Sequence, residues 1–317
     1  MSNVIRKEDL HILFMGTPDF SVKCLRKIFE EGYDIRAVVT QPDRPKGRKN
    51  LLHESPVKVY AKENGIPVLQ YEKVSREGID DIRDYGCNLF VTASFGQILS
   101  RKLLSLPEYG TINVHASLLP KYRGAAPIEW CIINGEKYTG ITTMYTKFEL
   151  DAGDMLLKKE VEIPGDITGG ELRDILADCG AEVLSDTLKA LTEGSLNPVS
   201  QNEDEASYFP MLDKGIGRID FNKTYAEIHN LVRALLPEMP AYFEADGNRI
   251  QVYKVSFING SADSLPGTVI SQDPKLGLLI QAGDGIIEIN ELKYPGKKQM
   301  DDKSFLRGRQ FQTEFID

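Results

Sequence analysis

Basic residues are in the minority: 38 Lys and Arg stand against 47 Asp and Glu, a formal net charge of −9. A chain that is basic throughout is therefore excluded, and a nucleic-acid partner would have to be met by a local patch. No apolar run approaches the ~18 residues that mark a membrane span. Met1–Leu10 is polar and mixed in charge, and the apolar stretch Ile12–Met15 is too short for a signal-peptide core. Cysteine is scarce; Cys24, Cys87, Cys131 and Cys179 are far apart, which excludes a C-x-x-C redox or metal pair. Histidine is equally scarce, and none of His11, His53, His115 and His229 has a second ligand type at i+3 or i+4 in a recognised motif. No G-x-G-x-x-G follows the first strand, and neither G-x-x-x-x-G-K-[ST] nor G-x-S-x-G occurs, which weighs against dinucleotide, nucleotide-triphosphate and serine-hydrolase chemistry. The expectation is a reduced, soluble, cytoplasmic protein with no metal, no membrane association and no obligate protein partner.

What is present is alternation. Apolar, β-branched runs at 11–15, 35–40, 66–70, 88–94 and 111–117 are separated by helical stretches over 19–31, 56–64 and 99–106, with Ser55 as N-cap of the second. Residues 41–54 read as a polar loop. Further strands are expected at 139–146 and 155–163, and a long helix within 168–191. Strands alternating with helices imply an α/β fold, a Rossmann-like, mostly parallel sheet covered on both faces, with ligands at the strand C-termini. After a polar stretch around Glu203-Asp204-Glu205 the pattern changes to one helix over 224–235 and short strands separated by glycine turns, as in a small OB-like β-barrel. The expected division is a catalytic domain over 1–196, a linker over 197–214 and a β-barrel domain over 215–317.

The chemistry-bearing residues gather in Asn113-Val114-His115-Ala116-Ser117-Leu118-Leu119-Pro120-Lys121-Tyr122-Arg123-Gly124, where a strand runs into a proline- and glycine-bounded loop. Asn113 and His115 are at i and i+2 and share one face of the strand. Two readings stay open on spacing alone: a satisfied core histidine, or a general acid–base at a strand end. Asp151-Ala152-Gly153-Asp154 is likewise either a turn or a polar contributor to a site.

The segment Asn113–Ile128 followed by Leu150–Met155 resembles the signature of folate-dependent formyltransferases. Met15–Phe20 (MGTPDF), Gln41–Arg48 (QPDRPKGR), Ser55–Lys58 (SPVK), Pro266–Val269, Gly283–Gly285 and Phe305–Arg309 extend the resemblance over nearly the whole chain, toward members that act on methionyl-tRNA. Leu236-Pro237-Glu238-Met239-Pro240 stands where that family commonly has Asn-Pro-Trp-Pro. The resemblance implies that Asn113, His115 and Asp151 act on 10-formyltetrahydrofolate, Asn113 and His115 facing the developing oxyanion and Asp151 orienting His115 and relaying protons. It implies folate contacts from Phe95, Gly96, Ile98, Ser117, Leu118, Leu119, Pro120 and Asp154, and a methionine side-chain pocket at Phe20. It implies initiator methionyl-tRNA as partner, met by Arg44, Lys46 and Arg48 and by the cluster Lys293, Lys297, Lys298, Lys303, Arg307 and Arg309. No covalent enzyme intermediate and no metal are implied. The rivals are formylation of a small amine, such as an amino-sugar nucleotide or glycinamide ribonucleotide, a non-catalytic RNA-binding protein on the same scaffold, and a nicotinamide dehydrogenase.

Overall fold

The structure, a computed structural model, describes residues 5–46, 51–258, 260 and 264–316. After a short 3-10 turn at Lys7–Asp9 comes β1 (His11–Gly16), an interior strand of a seven-stranded sheet, buried along almost its whole length as expected for a strand covered on both faces. In chain order follow α1 (Asp19–Glu30), β2 (Asp34–Thr40), β3 (Arg44–Lys46), β4 (Leu51–His53), α2 (Pro56–Glu63), β5 (Val68–Gln70), α3 (Val74–Glu77), α4 (Ile79–Asp84), β6 (Leu89–Ala93), α5 (Arg101–Leu104), β7 (Thr111–His115), β8 (Arg123–Gly124), α6 (Pro127–Ile133), β9 (Tyr138–Tyr145), β10 (Met155–Glu162), α7 (Gly169–Thr192) and β11 (Tyr208–Phe209). The chain divides into two compact units: residues 1–127, 138–162 and 173–209 form one, and residues 128–137, 163–172 and 210–317 the other.

In the first unit the sheet order is β10-β9-β7-β6-β1-β2-β5. The strands from β7 to β5 pair in parallel, while β9 runs antiparallel to β7 and β10 antiparallel to β9. The order reverses between β1 and β6, which is where an open α/β sheet leaves a crevice at its strand C-termini. Three sequence features explain the local geometry there. Gly16 ends β1 because a Cβ would lie 2.6 Å from the Ser21 side chain. Ser21 Oγ donates to Ala93 O at the end of β6 (2.6 Å), tying α1 to the neighbouring strand. Ser55 caps α2 by accepting from Lys58 N (3.1 Å), with Pro56 at the first helical position, where its missing N–H costs nothing.

The alternating α/β pattern matches the sequence expectation, with two differences. The stretch expected as a loop over 41–54 contains the antiparallel pair β3–β4, each strand three residues long and too short to show a period. The segment around 74–84 is helical, in two short pieces separated by Gly78; Val74, Ile79 and Ile82 are buried beneath the sheet, but a four- and a six-residue helix leave no readable stripe. Residues 197–209, inside the stretch expected as a linker, lie along the first unit. Val199 pairs antiparallel with Met155, and β11 pairs parallel with β8.

The second unit is built on α8 (Tyr225–Ala234) and the strands β12 (Tyr242–Ala245), β13 (Asn248–Ile258), β14 (Val269–Asp273), β15 (Gly277–Ala282), β16 (Gly285–Lys293) and β17 (Met300–Asp301), followed by α9 (Asp302–Gly308). The antiparallel order β12-β13-β16-β15-β14 makes a half-barrel around Phe221, Phe243, Ile250, Leu278, Ile287 and Phe305. The C-terminal residues tie its two ends together: Val269 N donates to Glu314 O (2.9 Å), while Gln312 N and Thr313 N donate to Asp246, in the β12–β13 turn (2.9 and 3.0 Å). Thr224 and Glu227 form a capping box at the start of α8. No helix among the described residues is long and apolar enough to cross a membrane.

Candidate active site

β7 delivers Asn113 and His115 to the C-terminal edge of the sheet on the same face of the strand. Thr92, opposite Asn113 on β6, donates its hydroxyl to Asn113 Oδ1 (2.8 Å). With its oxygen engaged, the Asn113 amide presents its N–H bonds as donors. His115 is buried, and its Nε2 lies 2.9 Å from Tyr122 O. A carbonyl only accepts, so Nε2 carries the hydrogen, and in the neutral ring the lone pair sits on Nδ1.

That Nδ1 faces Asp151 Oδ2 at 3.8 Å. The two side chains are 8% and 13% exposed, so their attraction is poorly screened. Asp151 Oδ2 also accepts from Gly124 N (2.8 Å). Tyr122 and Gly124 therefore hold the two members of the pair from opposite sides of one residue, Arg123. Asp151 itself adopts φ +48, a left-handed backbone uncommon for a residue with a Cβ. The turn carrying it lies against Tyr145: a Cβ on Gly153 would come 1.5 Å from Tyr145 O, and Tyr145 N donates to Asp154 O (2.9 Å).

The other expected site residues are distributed as follows. Ser117 and Leu119 are fully buried; Ser117 Oγ donates to Lys121 O, Thr142 Oγ1 donates to Ser117 O and accepts from Leu119 N, and Lys158 Nζ donates to Leu119 O. The Leu119–Pro120 peptide is cis, and Leu118 packs over Gly140, where a Cβ would lie 2.6 Å from its Cδ2. Phe95 is buried while its carbonyl accepts from Gln41 Nε2 (3.1 Å) and Thr17 Oγ1; Ser94 and Gly96 on either side have positive φ. Ile98 is 83% exposed at a groove of about 420 Å³ shared with Lys73, Arg76, Gln97 and Phe148. Asp154 is turned to Lys147 Nζ (2.9 Å) and Ser200, and the Lys147 ammonium holds its carboxyl below the usual carboxylate range.

Phe20 is 4% exposed, with its ring beside Gly180 of α7. Arg44 is exposed and paired with Glu72 (2.6 Å). Lys46 ends β3, and Arg48 lies outside the described residues. Behind this segment Lys58 holds Asp43 (2.6 Å) and Gln70 (2.9 Å), and the ammonium keeps the Asp43 carboxyl below its ordinary range.

All four cysteines are buried; burial pushes the Cys24 thiol up to about 12 and the Cys87 thiol up to about 11, which leaves these two poor nucleophiles. Among the described residues no group of three His, Cys, Asp or Glu is arranged to hold a metal ion. Chemically, the arrangement offers a proton acceptor backed by a carboxylate, next to amide donors able to face a developing oxyanion. Sequence reasoning did not single out Tyr122, Gly124 or Gln201, which hold this pair through backbone and side-chain hydrogen bonds. Only the proximity of Tyr122 and Gly124 to His115 in sequence hinted at the first two.

Residues 10–188 match the family described as formyl transferase, and residues 211–310 match the formyl transferase C-terminal domain. The chain is 47% identical over 307 residues to a methionyl-tRNA formyltransferase of Ruminiclostridium cellulolyticum, covering 96% of this chain and 98% of that one. It is 46% identical to another from Clostridioides difficile, over 97% and 99% of the two chains. Among solved structures, WlaRD, a sugar 3N-formyl transferase determined in the presence of dTDP and 5-N-formyl-THF, superposes with a TM-score of 0.65 at 19% identity, covering 91% of this chain and 99% of that one, a likeness of fold.

Proposed function

The chain belongs to the methionyl-tRNA formyltransferases of the formyl transferase family, and on that premise we propose that Asn113, His115 and Asp151 transfer the formyl group of 10-formyltetrahydrofolate to the α-amine of methionine on initiator tRNA, giving formylmethionyl-tRNA for translation initiation. The observation that carries this reading is the His115–Asp151 pair, 3.8 Å apart and anchored by Tyr122 O and Gly124 N.

The amine attacks the formyl carbon, and the carbonyl electrons move to the formyl oxygen. Asn113, whose oxygen is occupied by Thr92, donates an amide N–H to that oxyanion; one such donor is worth roughly 3 kcal/mol in the transition state. His115 Nδ1 takes the proton that the attacking nitrogen sheds. The imidazolium so formed lies beside Asp151, an attraction of roughly 4 kcal/mol at an effective dielectric constant of 20. It shares in holding the oxyanion and returns the proton to the folate nitrogen as the C–N bond breaks. The amine is the nucleophile throughout, so no covalent enzyme intermediate forms, in keeping with the raised Cys24 and Cys87 thiols. Most of the rate gain then comes from holding two substrates in line.

Folate is proposed to lie along Phe95, Gly96, Ile98 and the 117–120 loop, with Asp154 near its polar edge. The exposure of Ile98 beside a groove supports this placement. Arg44, Lys46 and Arg48 are proposed to meet acceptor-end phosphates, Arg44 exchanging Glu72 for phosphate; the half-barrel domain, taken as 215–317 after a linker at 197–214, supplies a second contact. A reaction on aminoacylated tRNA belongs in the cytoplasm.

The test is transfer of labelled formyl from formyltetrahydrofolate to methionyl-tRNA, with glycinamide ribonucleotide and an amino-sugar nucleotide as competing acceptors. Label is expected on the tRNA alone; preferential labelling of either small amine overturns the assignment. In the same assay Arg48→Ala raises KM for methionyl-tRNA about tenfold and leaves KM for folate within about twofold, the cost of one lost phosphate contact. Parent-like kinetics on tRNA would remove Arg48 from the interface.

A further inference from the structure

The segment between the two family-matched regions carries a positioning device for the proposed reaction. Gln201 Nε2 donates to both Asp151 O (2.7 Å) and Gly153 O (2.8 Å), the two carbonyls that frame the turn holding Asp151. Its Oε1 accepts from Arg123 Nε (2.9 Å). Arg123 is completely buried, and its remaining guanidinium nitrogens donate to Glu203 (2.8 and 3.0 Å) and Tyr208 Oη. Pairing with Glu203 raises Arg123 above its ordinary range, so the guanidinium stays charged. The strand pairs Val199–Met155 and Tyr208–Arg123, with Tyr122 stacked on Phe209 (4.6 Å between ring centroids), clamp both ends of this segment.

We propose that Gln201, held by Arg123, is a positioning residue that sets the Asp151 carboxylate against His115, so that the 199–209 strap is part of the catalytic apparatus. The proposal rests on the reading of Asp151 as catalytic. Two geometric facts carry it. Asp151 sits at φ +48, a conformation that needs outside support, and Gln201 supplies two hydrogen bonds to the backbone of that turn. Arg123 also lies between Tyr122 and Gly124, whose carbonyl and N–H hold His115 and Asp151. One buried guanidinium thus fixes the strap, the 122–124 backbone and, through Gln201, the 151–153 turn. A glutamine suits the junction because it accepts from an arginine at one end and donates to two carbonyls at the other; neither Glu nor Met does both.

The experiment compares the full-length parent with Gln201→Glu, Gln201→Met, Asp151→Asn and the double variant Asp151→Asn/Gln201→Glu, measuring kcat and KM for both substrates together with thermal unfolding. Gln201→Glu keeps the length and the arginine partner but turns an oxygen toward the two carbonyls. Its kcat is expected to fall about 10- to 50-fold with both KM values within about twofold, because misplacement near the reacting atoms costs rate rather than binding. Gln201→Met gives the same split should the Glu variant not fold. In the Asp151→Asn background the Gln201→Glu change adds less than about twofold, since there is no longer a carboxylate to position. Parent-like kcat in both Gln201 variants, or a full multiplicative loss in the double variant, overturns the inference while leaving the proposed reaction standing. Parent-like kcat in Asp151→Asn overturns the catalytic reading of Asp151, and this inference with it.

Discussion

His115→Ala lowers kcat for formyl transfer by about 10³-fold and leaves KM for methionyl-tRNA within about twofold, general acid–base groups at such positions contributing 10²–10⁴. The size follows from how the imidazole is held. Its Nε2–H is committed to Tyr122 O, so Nδ1 is the only ring nitrogen left for substrate, and that nitrogen faces Asp151. Removing the ring takes away the proton acceptor and leaves a largely buried carboxylate whose remaining hydrogen bond comes from Gly124. Asp151→Asn suffers a loss of similar kind, because an amide does not stabilise an imidazolium. The double variant is no slower than the slower single one, since the two residues act as a unit. Rates are measured by labelled-formyl transfer at saturating methionyl-tRNA and folate, and circular dichroism confirms the fold. A His115→Ala enzyme within about threefold of the parent would remove the imidazole from the chemistry.

The half of this arrangement that was legible in the sequence is local. Asn113 and His115 stand two residues apart before a proline- and glycine-bounded loop, and a strand at that position puts them on one face. The strands themselves were readable because burial on both faces leaves runs such as Ile12–Met15 and Leu89–Ala93 almost wholly apolar. The Ser55 cap was readable because capping is decided within four residues. Gly153, by contrast, looked like one glycine in a turn. What requires glycine there is the carbonyl of Tyr145, packed against it by the tertiary fold. Gln201 sat in a stretch without periodicity, and its partners Arg123 and Asp151 are 78 and 50 positions away. Local chemistry was visible in each case, and long-range closure was not.

Gly153→Ala is expected to abolish more than about 99% of kcat although residue 153 has no role in the reaction. The added Cβ would lie 1.5 Å from Tyr145 O, far inside contact distance, and the obstacle is backbone on a strand in the interior of the sheet order, so the turn has to move. Overpacking of this kind costs about 1–3 kcal/mol, and the unfolding midpoint should drop by several degrees. The larger consequence is geometric. The turn is tied to Gln201 through Asp151 O and Gly153 O, and to Tyr145 through Asp154 O. A displacement of about 1 Å carries Asp151 away from both His115 Nδ1 and Gly124 N, and misplacement on that scale costs roughly 100-fold in rate. Gly165→Ala is the matched control, because nothing lies within 4 Å of a Cβ built there; it should keep parent kcat and melting temperature. Thermal unfolding and formyl transfer on the three proteins separate the two contributions. Should Gly153→Ala match the parent in both, the turn is not clamped by Tyr145, and the register of Asp151 against His115 must be set by Gly124 N and Gln201 alone.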